Sequence, residues 1–234
     1  MDKILVVIPT FNEAQSLPLL LDKIFSLGFA PSVLVVDDSS EDGTSQKVRS
    51  LQEKYPRLFL LTRPNKMGLG SAYRDGFRLA TEKGFEVVVQ MDGDLTHDPS
   101  FIPGMISELR DHDMVIASRY IRGSRIVGFP LSRRLLSRFG NLFARGLLRL
   151  TVTDATSGFR AFRRAALEQV SVKTTTSDGF VFQIEIAWRA CAAGLRIAEV
   201  PLSFVGRKFQ RSKFSLKICW EALRKIVAWS RLGA

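Results

Sequence analysis

Short apolar runs alternate with helical patterns along the first half of the chain. Continuous, β-branched runs at 4–9 (ILVVIP), 32–38 (SVLVVDD), 58–62 (LFLLT), 87–91 (VVVQM) and 113–118 (DMVIAS) read as strands. Between them, apolar spacings of three and four predict helices near 14–27, 43–54, 69–82 and 99–111. Strands that are apolar on both faces must be covered on both, so the pattern predicts an α/β fold: a mostly parallel, Rossmann-like sheet with flanking helices. In such sheets ligands gather beyond the carboxyl ends of the strands. The polar clusters fall there: Phe11-Asn12-Glu13 after the first run, Asp37-Asp38 closing the second, and Asp92-Gly93-Asp94 after the fourth.

The second half has a different pattern. In 131–150 (LSRRLLSRFGNLFARGLLRL), Leu131, Leu135, Leu136, Phe139, Leu142, Phe143, Leu147 and Leu150 fill one broad arc of a helical wheel. Arg134, Arg138, Arg145 and Arg149 form a narrow stripe beside it, and Arg133, Ser137 and Asn141 a third side. Gly140 and Gly146 weigh against an unbroken helix. In the tail, 212–232, Lys213, Lys217, Arg224 and Arg231 cluster while Trp220, Ile226, Val227 and Trp229 cover a wider apolar side. Broad apolar faces edged by basic residues and Trp fit helices lying in a membrane interface. The alternative is that both pack on the sheet and turn an arginine-rich side to solvent.

Composition narrows the choices. A chain of 234 residues, 46% hydrophobic and 24% charged, can bury one sizeable core. No uninterrupted apolar stretch reaches the roughly 18 residues of a membrane span, and MDKILVVIPTFNE is no secretory signal. Cys191 and Cys219 follow no metal or redox spacing, which fits core or interface thiols in a reducing, cytoplasmic setting. The net charge of +11 divides unevenly, −5 over residues 1–118 and +16 over 119–234. A basic half attracts nucleic acid, anionic lipid or phosphorylated substrates. No nucleic-acid motif accompanies it, and such a protein would have no use for Asp92 and Asp94 in a site.

In VVVQMDGDLTHD (87–98) an interior strand ends in Asp92, Asp94 and Asp98. Two carboxylates at i and i+2 can leave the strand through a glycine turn and reach one cation. Hard divalent ions, Mg²⁺ or Mn²⁺, prefer such oxygens and often complete their shell with substrate phosphates. His97 follows the turn, where a lone histidine more often supports a site than ligates. NKMGLGSA (65–72) lacks the Walker spacing and suggests instead a helix N-terminus beside a nucleotide.

The ordered set PTFNE (9–13), VVDDSSEDGT (35–44), NKMGLGSAYRDG (65–76), MDGDLTHDP (91–99), ASRY (117–120), DATSGFRAF (154–162) and GFVFQIE (179–185) resembles the family 2 glycosyltransferases. Within them it is most similar to the dolichol-phosphate mannose synthases and their bacterial polyprenyl-phosphate relatives, from about residue 3 to 215. The resemblance implies a GT-A fold and inverting transfer of a hexose from a nucleotide sugar to a polyprenyl monophosphate. GDP-mannose is the first expectation and UDP-glucose the second. Pro9, Phe11, Glu13, Val36, Asp38, Asp92, Gly93, Asp94 and Arg207 would bind the nucleotide sugar, with Asp92 and Asp94 also holding the metal. Phe11 replaces the more usual Tyr, Thr96 stands where mannose synthases often carry Gln, and Arg211 replaces a glycine. Arg119, Arg133 and Ser137 match positions that hold the acceptor phosphate; Arg133 and Ser137, at i and i+4, share a helix face. Asp92, Asp94, Arg119, Arg133 and Arg207 would carry the catalytic work, with Lys213 a weaker candidate.

A phosphate monoester, with its second pKa near about 6, is nucleophilic without a general base, so Asp154 and Glu185 are expected to orient rather than to abstract protons. Transfer to a glycan hydroxyl would instead require a carboxylate base. The expected organisation is a transferase domain over 1–212, with a nucleotide-binding half (1–118) and an acceptor-binding half (119–212), followed by an amphipathic helix (213–234). The expected location is the cytoplasmic face of a membrane, held peripherally on anionic lipid. Relatives often carry membrane spans and this chain does not, so a membrane-spanning partner protein is a further expectation.

Overall fold

The computed structural model describes residues 3–128, 130–206 and 216–231; within these, the side chains of residues 133, 205 and 216–219 are not described. The first half alternates as its pattern predicts: β1 (Ile4–Thr10), α1 (Leu17–Phe25), β2 (Ser32–Asp37), α2 (Thr44–Gln52), β3 (Leu58–Thr62), α3 (Leu69–Glu82), β4 (Val87–Gln90), α4 (Ile102–Glu108) and β5 (Met114–Ser118). The second half adds β6 (Arg125–Val127), α5 (Leu131–Leu148), β7 (Arg160–Arg163), α6 (Arg164–Gln169), α7 (Gly179–Ala192), β8 (Ile197–Pro201), β9 (Ser203–Val205) and α8 (Leu216–Arg231).

Seven strands form one sheet in the order β3-β2-β1-β4-β7-β5-β8. Every pairing is parallel except those of β7, which runs antiparallel to both β4 and β5. The direction of β7 matters for the site. The parallel strands end at one edge, and an antiparallel strand between β4 and β5 begins there, so the 154–159 loop enters β7 beside the ends of its neighbours. Gln90 pairs with Arg160 in that register.

Alternate residues of each strand feed different cores, as the two-residue period requires. Leu5, Val7, Leu34, Val36, Val88 and Phe162 pack with Tyr73 and Phe77 of α3 and Phe182 and Ile186 of α7. Val6, Ile8, Val33, Val35, Val89 and Ala161 pack with Leu17, Leu20 and Ile24 of α1 and Met105 of α4. Both faces are covered, which explains why the strands read as unbroken apolar runs.

The β7 and β8 strands carried no such signal. β7 is Arg-Ala-Phe-Arg and β8 contains Glu199, so neither shows a run long or apolar enough to distinguish a strand. α5 continues unbroken through Gly140 and Gly146. Its inward side is Asn141, Ala144 and Leu148, whereas Leu131, Leu135, Leu136, Phe139 and Leu142 of the apolar arc are 47–69% exposed. α8 divides its apolar residues: Ile226 and Trp229 are buried, with Trp229 stacked on Trp188 at 5.4 Å, while Trp220 is exposed.

Candidate active site

The loops leaving β1, β2 and β4 are tightly turned at one edge of the sheet. Asn12, Ser39 and Leu95 all adopt left-handed backbone there, at φ of 61°, 54° and 63°. For a bulky residue such as Leu95 this conformation is strained, and the surroundings must hold it. Gly93 allows the β4 turn to lie against β1, since a Cβ there would come 3.3 Å from both Ile8 and Thr10 side chains.

Two aspartates at the end of β2 serve mainly to build this edge. Asp37 is fully buried and accepts hydrogen bonds from the hydroxyls of Thr10 (2.8 Å), Ser40 (2.6 Å) and Ser45 (2.8 Å). Asp38 forms a buried ion pair with Arg63 and accepts from the Gly68 N–H at 3.0 Å. Arg63 also donates to Gly68 O (2.8 Å) and Ser71 Oγ (2.7 Å), tying the loop before α3 to the end of β2. Asp178 caps α7 and accepts from Gly70 N–H, so the glycines of NKMGLGSA bring α3 against α7.

Pro9 lies near the end of β1, with Phe11 and Glu13 just beyond it. Lys66 sits over the Phe11 ring, 3.9 Å from its centroid. Glu13 accepts from Ser16 Oγ at 2.6 Å, and its backbone N–H donates to Thr44. The Val36 side chain is fully buried in the core, so its neighbours Asp37 and Asp38, not Val36 itself, reach the edge.

Asp92, Gly93 and Asp94 follow β4 directly. Asp94 is buried, and its Oδ1 accepts from the Thr96 N–H (3.1 Å) and hydroxyl (2.6 Å), which fixes its rotamer. The Tyr73 hydroxyl donates to Asp92 Oδ1 at 3.3 Å; burial, reinforced by the Asp92 charge, holds this phenol's pKa well above its usual value. His97 Nδ1 accepts from the Asp92 N–H at 3.3 Å, and its ring stacks on Phe159 at 5.1 Å. Burial lowers the His97 pKa, which matches a neutral ring accepting through Nδ1. His97 therefore stands behind the acidic turn. Gly158 approaches from the other side, where a Cβ would come 3.3 Å from Asp92 Oδ1.

Among the described residues no cluster of three or more acidic, histidine or cysteine ligands forms. Asp92 and Asp94 offer two carboxylates, a donor set that suits a hard divalent cation taking its remaining oxygens from a substrate.

Arg119 follows β5 and is held by Asp154 in a bidentate pair: Nε to Oδ2 at 2.8 Å and Nη2 to Oδ1 at 2.7 Å, with the Arg119 N–H also donating to Oδ2 at 3.0 Å. Nη2 further donates to Thr156 Oγ1 at 2.7 Å. The Tyr120 and Phe204 rings flank the guanidinium at 5.3 and 5.6 Å. Burial pushes the Asp154 carboxyl up, but the charge and hydrogen bonds of Arg119 together outweigh it and the net shift is downward. Asp154 itself is oriented by Glu199, which accepts from the backbone N–H groups of Thr153 (2.7 Å) and Asp154 (3.0 Å). Ser137 on α5 accepts from the Tyr120 hydroxyl at 2.7 Å, which brings it to the Arg119 side. Arg133 is one helical turn before Ser137 on the same helix. Arg207 and Lys213 lie outside the described residues. Glu185 is buried away from this cluster, accepting from Ser177 N–H at 3.0 Å and pairing with Arg189.

Sequence reasoning did not single out Arg63, Tyr73 or Thr156, and it placed Asn141 only on the helix side shared with Arg133 and Ser137. A charged residue directly after the apolar run 58–62 was a usable hint for Arg63, and Thr156 stands inside the DATSGFRAF motif. The pairing of Arg119 with Asp154 spans 35 positions and leaves no mark in local pattern.

A sheet of this order, with acidic turns at its carboxyl edge and an arginine site on the strands beyond the switch in strand direction, is the GT-A architecture. The chain belongs to the family described as Glycosyl transferase family 2, which matches residues 5–171, and it is a glycosyltransferase. It is 39% identical over 227 residues to the undecaprenyl-phosphate mannosyltransferase of Micrococcus luteus, covering 97% of this chain and 93% of the relative. It is 36% identical over 231 residues to the polyprenol monophosphomannose synthase of Mycolicibacterium smegmatis, covering 98% and 87%. Among solved structures it resembles a mannosyltransferase from Pyrobaculum calidifontis in complex with GDP-mannose and Mn²⁺, at a TM-score of 0.67 and 23% identity over 100% of this chain and 65% of that one. The glucosyl-3-phosphoglycerate synthase of Mycobacterium tuberculosis, bound to Mn²⁺, UDP and its product, gives 0.67 at 20% identity over 99% and 79%. At these identities the two structures establish the shared fold.

The Arg119–Asp154 pair carries a test of its own. Asp154→Asn leaves a buried guanidinium without its counter-charge and should destabilise the protein by about 3–5 kcal/mol in denaturant unfolding. Because the folded Asp154 pKa is depressed, its stabilisation is present above the unfolded carboxyl value of about 3.9 and is lost as pH falls through the folded one. The deficit of the variant should therefore be constant above about pH 4 and shrink below it; a deficit that stays undiminished well below that pH would show that the pair does not hold the site together.

Proposed function

We propose that this glycosyltransferase moves mannose from GDP-mannose to a polyprenyl monophosphate, with inversion at the anomeric carbon. The observation that carries the proposal is Arg119: it is fixed on one side by Asp154 and Thr156, lies between two aromatic rings, and stands on the helix side of the acidic turn beside Ser137. A forked, charged donor suits a phosphate oxyanion. The names of the two relatives at 36% and 39% identity supply the sugar and the lipid class.

The chemistry follows from charge. An oxygen of the acceptor phosphate attacks the anomeric carbon; that C–O bond forms as the bond to the nucleotide diphosphate breaks, and the bonding electron pair leaves with the diphosphate. Asp154 is committed to Arg119 and held ionised, which suits an acceptor that is already an anion and needs no base. Asp92 and Asp94 would hold Mg²⁺ or Mn²⁺, which when bound stabilises negative charge on the departing diphosphate. Arg119, with Arg133 and Ser137, would align the attacking phosphate, so positioning supplies much of the remaining acceleration. Pro9, Phe11, Glu13 and Asp38 with its Arg63 partner would border the nucleoside, and Arg207 would meet the donor diphosphate. Residues 1–118 would form the donor half and 119–212 the acceptor half.

The working location is the surface of an anionic membrane. Among the described residues no helix is long and apolar enough to cross a bilayer. The outward face of α5 nonetheless exposes Leu131, Leu135, Phe139 and Leu142, and α8 adds Trp220 and Leu223. Apolar area of this kind, edged by Arg134, Arg138, Arg145, Arg224 and Arg231, fits partial burial among acyl chains with the arginines at headgroup phosphates. A membrane-spanning partner would be an additional anchor.

Transfer of radiolabelled sugar into an organic-extractable lipid tests the reaction. The purified chain receives polyprenyl phosphate and Mg²⁺ or Mn²⁺, with GDP-mannose and UDP-glucose in separate tubes. Label in the lipid phase from GDP-mannose is expected; label only from UDP-glucose, or only in water-soluble glycan, overturns the assignment. Flotation with vesicles tests the surface. The chain should rise with phosphatidylglycerol vesicles and much less with phosphatidylcholine alone, and Leu135→Asp with Phe139→Asp should abolish the difference. Unchanged flotation of that variant, with loss of a dimer instead, would make α5 a contact between two copies of the chain.

A further inference from the structure

Thr156 Oγ1 is a saturated node in the acceptor half. It accepts from Arg119 Nη2 at 2.7 Å and from Asn141 Nδ2 at 2.9 Å, and it donates to Asp154 Oδ1 at 3.1 Å. A hydroxyl has one proton and two lone pairs, so all of its hydrogen-bonding capacity is used. Asn141 also donates from Nδ2 to its own helix at Ser137 O, 2.9 Å away. The node thus joins α5, the 154–158 loop and Arg119 at a single oxygen.

The choice of asparagine is not explained by stability. Asn141 is 3% exposed, and its Oδ1 accepts no hydrogen bond from a described residue. A buried, unmatched acceptor is unfavourable, and an apolar residue of similar shape among Ala144 and Leu148 would avoid it. What asparagine adds is the Nδ2 bond to Thr156.

We propose that Asn141 and Thr156 are positioning residues that set the Arg119 guanidinium in register with α5. The inference rests on the acceptor reading above. On that reading a polyprenyl phosphate presents its chain to the outer face of α5 and its phosphate to Arg119, so the offset between helix and arginine decides whether the phosphate is met. Asp154 alone fixes the plane of the guanidinium; the Thr156–Asn141 link fixes its place relative to the helix. The Nη1 edge, which makes no hydrogen bond to a described residue, is left for the ligand.

Steady-state kinetics on the full chain separates this role from a structural one. Thr156→Val should raise the KM for polyprenyl phosphate by about tenfold, the scale of one hydrogen bond to a charged group, and Asn141→Leu by about fivefold, the scale of one neutral hydrogen bond, while the KM for nucleotide sugar stays within about twofold. Asn141→Leu should do so without lowering the unfolding midpoint, and Thr156→Ser should restore the native KM. In an Arg119→Lys background Thr156→Val should add nothing further, because the two act as one unit. Equal changes in both KM values, or additive effects in the double variant, would overturn the proposal. A wild-type chain that transfers no sugar to polyprenyl phosphate would defeat the acceptor reading instead. The register itself is then read by ¹⁵N spectra of the Arg119 side chain, assigned by difference from Arg119→Lys. The Nη2 resonance should shift in Thr156→Val and in Asn141→Leu while that of Nε, held by Asp154, stays in place; an Nη2 resonance unmoved in both variants would refute the link.

Discussion

Asp37, Asp38, Asp92, Asp94 and Asp154 crowd one edge of the sheet, and the site depends on how their charges are compensated. Each is handled differently. Asp37 is dissolved into hydroxyl donors, Asp38 is paired with buried Arg63, and Asp154 is clamped bidentately by Arg119. Asp92 and Asp94 receive polar support from Tyr73 and Thr96, and they occupy the position where a cation shared with a substrate diphosphate would stand. The result is a division along the edge: carboxylates on the β4 side, where on the proposed reading a metal-bound leaving group would stand, and a preset guanidinium on the β5 side, where the attacking phosphate would stand. A reaction between two phosphate-bearing partners needs this separation, because both carry negative charge toward the same carbon.

The antiparallel insertion of β7 makes the division possible. Because it runs against β4 and β5, it delivers its preceding loop to the edge where those strands end. One short segment can therefore place Asp154 and Thr156 against Arg119 and Gly158 against Asp92. Arg160, the first residue of β7, is fully buried and donates to the carbonyls of Ala155, Ser157 and Gln183, bracing that loop from beneath. Burial lowers its pKa to about 10, which leaves it charged at neutral pH.

The sequence made some of this legible and hid the rest for physical reasons. The first-half strands were plain because parallel strands covered on both faces must be apolar throughout. The acidic turn was plain because carboxylates at i and i+2 after such a strand repel one another and need a cation to offset them. β7 and β8 were hidden because strands of four and five residues bearing Arg160, Arg163 and Glu199 have no detectable period. The orientation of α5 was hidden as well. Its wheel showed the apolar arc and the arginine stripe, but only packing reveals that Asn141, Ala144 and Leu148 turn inward and that the leucine arc faces out. The Arg119–Asp154 pair belongs to tertiary structure alone, and motif resemblance pointed to Arg119 without saying what would hold it.

On the proposed reading, Asp92 and Asp94 would form the donor side of the site through a shared divalent ion. Calorimetric titration of the full chain with GDP-mannose, with and without Mn²⁺, tests it most directly, with Asp94→Asn as the comparison. Binding that Mn²⁺ strengthens in the native chain and leaves unchanged in Asp94→Asn is the expected result. Equal affinity in the native chain with and without the ion would contradict the claim and would require the leaving diphosphate to be stabilised by arginines alone.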